Sequence, residues 1–141
     1  MDDPLVSHVG IAVADLEQSI VRFSLITGHA PIEIVEVPDQ QVKVAMFAPS
    51  QAAHGHRSTR IELVAATSQE SPIARFIARR GEGIHHLCIY VDNIDQKLVE
   101  LKSAGVRLID EIPRIGADNE RIAFLHPSSM SGVLVELHER R

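Results

Sequence analysis

The chain has 141 residues, of which 45% are hydrophobic and 23% are charged, so it is long enough for one globular domain with a core. A formal net charge of −5 with no basic stripe argues against a nucleic-acid partner. No apolar run is long enough to span a membrane, the first residues lack the features of a secretory signal, and the single cysteine, Cys88, permits no internal disulfide. We therefore expect a cytoplasmic protein that binds neither membranes nor nucleic acid.

The first half of the chain predicts the element order β-α-β-β-β. Apolar residues over 5–13 favour a strand, Asp15 suits the N-cap of the following helix, and Gly28 suits its end. The apolar face of that helix consists of Leu16, Ile20 and Phe23. Three further strands are predicted at 32–37, 42–48 and 60–65, with a turn at 39–41 and a loop at 49–58.

The second half of the chain repeats this order after a connector at 68–81. Within the connector, Ser71 and Pro72 begin a short helix. The elements that follow are a strand at 84–91, a helix at 93–104, strands at 106–112, 121–125 and 133–137, and a loop at 113–120.

Two stretches of the chain match at a fixed offset. His86-Leu-Cys-Ile-Tyr-Val91 repeats His8-Val-Gly-Ile-Ala-Val13 after 78 positions, and the offset continues through the helix that follows each strand. A long period that occurs twice indicates a duplicated module. We expect an α+β fold in which one domain, 1–141, consists of a module at about 1–67, the connector at 68–81 and a second module at about 82–141.

The adjacent histidines His85 and His86 need separate interpretations. Neighbouring strand residues point to opposite faces, so only one of them is expected to reach a given site. The repeat selects His86, the copy of His8, and leaves His85 packed or hydrogen-bonded behind the sheet. At a shared metal site, His86→Ala should abolish binding and His85→Ala should mostly spare it.

The repeat also pairs two acidic residues, Glu62 and Glu136, each flanked by aliphatic residues in the last strand of its module. A carboxylate in an apolar strand is costly to bury unless it is paired or binds a metal. If His8, Glu62, His86 and Glu136 converge, they suit one divalent cation with open positions. The alternatives are structural, hydrogen-bonded histidines and glutamates on a solvated face.

The other candidate ligands have simpler interpretations. Cys88 is expected to be a small apolar filler on the same face as His86. His54 and His56 lie in the predicted loop and are expected to be solvated. His126 either lines a cleft or forms part of a turn before Pro127.

Duplicated β-α-β-β-β modules with this His, Glu, His, Glu set resemble the vicinal oxygen chelate superfamily, the glyoxalase/bleomycin-resistance/dioxygenase-like fold. Within it, the chain resembles the methylmalonyl-CoA epimerase family over nearly its whole length. The stretches that carry the resemblance are His8-Val-Gly-Ile-Ala-Val13, Ser71-Pro-Ile-Ala-Arg-Phe76, Arg80-Gly-Glu-Gly-Ile-His-His86, Val106-Arg-Leu-Ile-Asp110, Pro113-Arg-Ile-Gly-Ala117, Phe124-Leu-His-Pro127 and Gly132-Val-Leu-Val-Glu-Leu137.

The resemblance implies an isomerase that interconverts (R)- and (S)-methylmalonyl-CoA by metal-assisted removal of the α-proton through an enolate. It implies one divalent ion (Co2+, Mn2+, Ni2+ or Zn2+) and a homodimer. The implied metal ligands are His8, Glu62, His86 and Glu136, with Glu136 also acting as the catalytic base. The positions expected to contact the acyl-CoA substrate are Lys43, Arg114, Gly116 and His126. A second acid–base group is not identified, since the stretch 42–47 offers only Lys43.

Three positions depart from the pattern of the family. Asp118 and Asn119 stand in place of a Gly-Gly pair, and Ser128 stands in place of a lysine. These departures bear on the acyl group and on the grip on coenzyme A more than on the metal. The alternatives are an epimerase of another 2-substituted malonyl-CoA, a glyoxalase-type metal lyase and a non-catalytic small-molecule-binding protein of the same fold.

Overall fold

The computed structural model describes residues 4–49 and 58–140. Within those ranges the strands are β1 (Val6–Ala12), β2 (Glu33–Val37), β3 (Val42–Phe47), β4 (Arg60–Ala66), β5 (Gly83–Val91), β6 (Arg114–Ile115), β7 (Arg121–Leu125) and β8 (Val135–Glu139). The α-helices of the same ranges are α1 (Leu16–Thr27), α2 (Pro72–Arg80) and α3 (Ile94–Ser103). None of these helices combines the length and the apolar character that a membrane crossing requires. His54 and His56, in the predicted loop, lie outside the described residues.

All of these strands belong to one sheet with the order β2-β3-β4-β1-β5-β8-β7-β6. The first four come from the first half of the chain and the other four from the second half. The two halves meet where β1 runs antiparallel to β5. Each half has the predicted β-α-β-β-β order, which confirms the α+β class. We retain the predicted module boundaries as a proposal that this division supports.

Helix α1 forms where the sequence predicts it, because both of its ends are stabilised locally. The side chain of Asp15 accepts a hydrogen bond from the backbone N–H of Gln18, and Gly28 ends the helix with a φ of 82°. The apolar face of α1 packs against buried residues of β3 and β4, and it consists of Leu16, Ile20 and Phe23. In the second half, Asn93 caps α3 in the same manner, through the backbone N–H of Gln96.

The two-residue period of the strands decides which side chains face the helices and which face a cavity. On β4, Leu63 packs towards α1, and on β8, Leu137 packs towards α3. The residues that precede these leucines, Glu62 and Glu136, therefore point to the opposite face, where they line a cavity. Residues from both halves of the sheet line this cavity, so the sheet curls around it. Helix α2 packs beside the cavity through Ile73.

The prediction of a strand at 106–112 is wrong. This stretch forms only an isolated bridge, between Leu108 and Leu125, and the edge strand of this region is β6 instead. The carboxylate of Asp110 accepts a hydrogen bond of 2.8 Å from the backbone N–H of Phe124 on β7, in the place of a backbone carbonyl. A side chain that competes with the backbone in this way interrupts a ladder.

Candidate metal centre

Two histidines and one glutamate bring their side-chain atoms together near the middle of the sheet. Nε2 of His8 lies 3.0 Å from Nε2 of His86, and Oε1 of Glu136 lies 3.1 Å from the first nitrogen and 3.2 Å from the second. All three residues are buried. Three neighbouring positions around an octahedral ion with bonds of about 2.1 Å are separated by about 3.0 Å. The triangle of donor atoms therefore has the dimensions of a metal site.

The strands β1, β5 and β8 each supply one corner of this triangle. In the sheet, His8 is paired with Cys88, and Gly10 is paired with His86. Cys88 is paired in turn with Glu136 on β8. Each histidine thus faces the residue two positions beyond the other histidine. The structure brings three of the four predicted ligands together.

Gly10 makes room for the ring of His86. A Cβ added at Gly10 would lie 2.0 Å from Cε1 and 2.4 Å from Nε2 of His86, far inside van der Waals contact. The imidazole therefore lies directly over the glycine backbone. A glycine inside a strand often marks such a close approach. The sequence contains this signal, but its meaning depends on the pairing of β1 with β5.

Replacing Gly10 by alanine should displace the His86 ring, because the added methyl group and the imidazole cannot occupy the same space. We expect the affinity for Co2+, measured by calorimetry, to fall by about 10–100-fold, the loss typical of a misplaced ligand support. Gly105→Ala is the control, since its φ of 88° makes alanine strained by about 1–2 kcal/mol while nothing lies within 4 Å of the added Cβ. Unchanged affinity in Gly10→Ala would contradict this account of the ring.

The ring of His85 contacts the ring of His86, contrary to the prediction that the two side chains point to opposite faces. The pairing shifts between Gly10–His86 and Ile11–Ile84, which leaves His85 as an extra residue in β5. Such a β-bulge interrupts the alternation of side chains. As a result, Nδ1 of His85 lies 3.0 Å from Nδ1 of His86.

The contact between these rings bears on which nitrogen of His86 is free. Burial and the neighbouring His86 lower the pKa of His85 to about 4, so His85 is neutral at pH 7. A cation at the triangle needs the lone pair of Nε2 of His86, which places the ring proton on Nδ1. That proton is then donated to Nδ1 of His85. His85 is therefore a positioning residue for His86.

Glu62 contacts the other nitrogen of His8. Its Oε2 lies 3.1 Å from Nδ1 of His8, and the Ser7 hydroxyl oxygen also lies 3.1 Å from that nitrogen. A histidine that binds a cation through Nε2 usually donates its Nδ1 proton to such a partner. The structure thus gives Glu62 a place beside His8, and its role as a fourth ligand stays a prediction.

Carboxylates and imidazoles in this cluster shift one another's protonation. Burial alone would raise the pKa of Glu136, but hydrogen bonds from His8 and His86 outweigh it, and that pKa lies well below its ordinary value. Burial raises the pKa of Glu62 above its ordinary value despite the attraction of His8 and Arg60. Burial would lower the pKa of His8, yet Glu62 and Glu136 raise it on balance. A divalent cation would satisfy the carboxylates and the imidazole lone pairs together.

The cavity beside the triangle has a volume of about 40 Å³. A space of this size holds an ion with one or two small ligand atoms. Two imidazole nitrogens and a carboxylate oxygen suit a borderline divalent metal and leave coordination positions open towards the cavity. The residues present therefore fit such an ion.

Comparisons with known proteins place the chain in a family. Residues 7–124 match the glyoxalase/bleomycin resistance protein/dioxygenase superfamily. Human mitochondrial methylmalonyl-CoA epimerase is 37% identical over 134 residues, which are 94% of this chain and 72% of that protein. The chain belongs to the methylmalonyl-CoA epimerase family.

Solved structures of this epimerase family have the same fold. Mycobacterium tuberculosis methylmalonyl-CoA epimerase is 37% identical, with a TM-score of 0.87 and coverage of 99% of this chain and 89% of that one. A variant of the Streptomyces coelicolor epimerase in complex with 2-nitronate-propionyl-CoA is 28% identical, with a TM-score of 0.88 and coverage of 98% of both chains. These similarities confirm the vicinal oxygen chelate fold.

Asp118, at a position where the epimerase pattern predicts glycine, belongs to a buried network. Its Oδ2 lies 3.0 Å from Nη2 of Arg60 and 3.3 Å from Nε2 of His138. Nη2 of Arg60 lies 3.3 Å from Oε2 of Glu62, and Nδ1 of His138 lies 2.9 Å from the Ser7 hydroxyl oxygen. The network thus connects the loop between β6 and β7 to both partners of the His8 ring. Arg60 and His138 were not predicted as site residues, because such residues ordinarily lie at the surface.

Replacing Asp118 by alanine should lower the free energy of unfolding by about 3 kcal/mol, since it removes one partner of a buried ion pair. Arg60 is only 4% exposed and keeps Glu62 as its remaining carboxylate partner. Urea unfolding followed by circular dichroism measures the change. Asp92→Ala is the control, because the Asp92 side chain, which pairs with Arg140, is 91% exposed and its loss should change the free energy by less than about 1 kcal/mol. A loss below about 1 kcal/mol in both variants would show that the ion pair of Asp118 contributes little stability.

Two of the predicted substrate-contacting positions lie near the triangle in this member of the family. Arg114 lines a second cavity that adjoins the first, with its guanidinium 5.3 Å from the ring centre of Phe124. Gly116 is buried, and an added Cβ would lie 3.0 Å from the side chain of Ile122, which lines the small cavity. Both positions therefore border the space that a ligand would enter.

The other two predicted substrate contacts lie elsewhere. Lys43 is exposed and stands between Val42 and Val44, whose side chains line the small cavity, so its own side chain lies on the other face of β3. His126 begins a short 3-10 helix, where its Nδ1 accepts a hydrogen bond of 3.0 Å from the backbone N–H of Ser128. The structure does not bring Lys43 or His126 to the triangle.

Proposed function

We propose that the protein interconverts (R)- and (S)-methylmalonyl-CoA by removing and returning the proton at C2. The observation that carries this proposal is the buried triangle of His8, His86 and Glu136 in a chain of the methylmalonyl-CoA epimerase family. Removal of the α-proton places negative charge on the thioester oxygen. Stabilisation of that charge requires a positive group in a water-poor site.

The proposal includes one divalent ion, Co2+, Mn2+, Ni2+ or Zn2+. His8, His86 and Glu136 would hold it, with Glu62 as a fourth ligand or as the partner of the His8 ring. When bound, the ion supplies the positive charge that stabilises the enolate oxygen. The small cavity has room for the thioester and carboxylate oxygens of the substrate.

Glu136 is the proposed acceptor of the proton at C2. Without a cation, hydrogen bonds from His8 and His86 lower the pKa of Glu136 in spite of its burial, and a bound cation would replace them as the positive partner that keeps the carboxylate ionised. Inversion of the carbon requires a second proton donor on the opposite face of the enolate. Among the described residues that line the small cavity, Glu62, Asp118 and His138 can carry this proton in addition to the triangle itself.

Incubation of the protein with (S)-methylmalonyl-CoA and each of the four ions tests this proposal. We expect the (R) epimer to appear until the two are equally abundant, as measured by stereospecific enzymatic assay. Protein treated with a chelator should show little conversion. A lack of conversion with every ion would contradict the proposal, and conversion of ethylmalonyl-CoA alone would indicate a different acyl group.

The proposal further includes a homodimer in the cytoplasm. Val21, Leu25 and Ile26 of α1 are 59%, 79% and 78% exposed, and exposed apolar side chains of this kind support a protein contact. The thiol of Cys88 is free and buried, as suits a reducing compartment. Light scattering at micromolar concentration tests the dimer, for which we expect twice the mass of one chain.

A further inference from the structure

Three adjoining cavities connect the triangle to the surface. The small cavity of about 40 Å³ shares Val42 and Phe124 with a middle cavity of about 280 Å³. The middle cavity shares His85 and Leu134 with an outer cleft of about 490 Å³. His86 lines all three. A ligand whose head lies at the triangle therefore has space to extend outward past His85.

The outer cleft contains three arginines from a single helix. Arg75, Arg79 and Arg80 of α2 line it, and α2 contains no acidic residue. Among the described residues, no carboxylate lies within ion-pair distance of these three side chains, whereas Arg60 and Arg121 are paired. The cleft is therefore a local concentration of positive charge in a chain whose net charge is −5.

Apolar side chains form the rest of the cleft wall. Ile84 and Val133 line the cleft and are 70% and 43% exposed. The guanidinium of Arg80 lies 5.9 Å from the ring centre of Phe76, which also lines the cleft. Exposed apolar surface beside cations that have no carboxylate partner among the described residues suits a ligand with both apolar and anionic parts.

We propose that Arg75, Arg79 and Arg80 bind the phosphate-bearing 3′-phospho-ADP end of the acyl-CoA substrate, while its pantetheine arm occupies the middle cavity. This inference rests on the proposed function, which names an acyl-CoA as the ligand. Guanidinium groups bind phosphates through paired, charge-assisted hydrogen bonds. The C-terminal end of a helix carries a partial negative charge and does not itself attract phosphate. The attraction therefore comes from the arginine side chains.

Binding of CoA and of pantetheine, which lacks the phosphates, to the full chain loaded with Co2+ separates the two parts of the ligand. Alanine at any one of the three arginines should raise the Kd for CoA about two- to fivefold, and the triple variant should raise it at least about tenfold. The Kd for pantetheine should not change. Arg22→Ala is the matched control, since Arg22 is exposed on α1 and lines none of the three cavities.

A Kd for CoA that is the same in the wild type and the triple variant would overturn the inference. Equal weakening of CoA and pantetheine, or no binding of CoA by the wild type, would also overturn it. In turnover, the triple variant should show a raised KM for methylmalonyl-CoA with little change in kcat. Failure of the proposed function can be told apart from failure of this inference. If CoA binding depends on the arginines but no proton exchange occurs, the proposed function fails and the CoA site stands. Proton exchange with an unchanged KM in the triple variant overturns this site alone.

Discussion

Replacing His86 by alanine should abolish binding of a divalent ion, because it removes the nitrogen that lies 3.0 Å from Nε2 of His8 and 3.2 Å from Oε1 of Glu136. His85→Ala should weaken binding by about 10–100-fold, the range for loss of a partner that orients a ligand. The alternation of strand residues alone predicts that His85→Ala has little effect on ion binding. Calorimetry and the visible absorption of bound Co2+ measure both variants.

His126→Ala is the matched control, since the only hydrogen bond of its ring in the described residues is accepted from the backbone of Ser128. His85→Asn should restore part of the affinity, because its side-chain oxygen can accept the Nδ1 proton of His86. A larger loss of affinity in His85→Ala than in His86→Ala would show that His85, and not His86, is the ligand. Equal, small losses in both would contradict the triangle as the metal site.

Replacing Glu136 by glutamine should lower the rate of proton exchange at C2 by about 10²–10⁴-fold, the usual effect of a lost general base. The substitution keeps an oxygen at the triangle but removes the negative charge and the proton acceptor. Ion binding should therefore weaken, and exchange has to be measured at saturating Co2+. Under those conditions the remaining defect reports on proton transfer rather than on occupancy.

Glu33→Gln is the control for this variant, because Glu33 is exposed on β2 and lies outside the cavities. Its exchange rate should equal that of the wild type. An exchange rate in Glu136→Gln within threefold of the wild type at saturating Co2+ would remove Glu136 from the role of base. The triangle could then still bind the ion through His8 and His86.

The internal repeat made much of the site predictable. The offset between His8 and His86 selected the two imidazoles, and the matched strands selected Glu62 and Glu136. Strand alternation then placed both carboxylates on the cavity face. These inferences need only local periodicity and the assumption that the two copies pack together.

The features that sequence reasoning missed depend on how distant segments pair. His85 joins the site only because β5 carries an extra residue opposite β1. The function of Gly10 follows from the same pairing, since it lies under the His86 ring. Arg60 and Asp118 are 58 positions apart and meet only when the loop after β6 folds over β4. Apart from the glycine within β1, none of these contacts has a local sequence signal.

Deuterium incorporation at C2 of methylmalonyl-CoA in heavy water, followed by mass spectrometry, tests the central proposal most directly, because it reports removal of the α-proton whether or not the carbon is inverted. We predict incorporation of one deuterium by protein loaded with Co2+ and little incorporation by the same protein after chelation. A lack of incorporation into both methylmalonyl-CoA and ethylmalonyl-CoA, with Co2+ bound, would contradict the proposed epimerase chemistry.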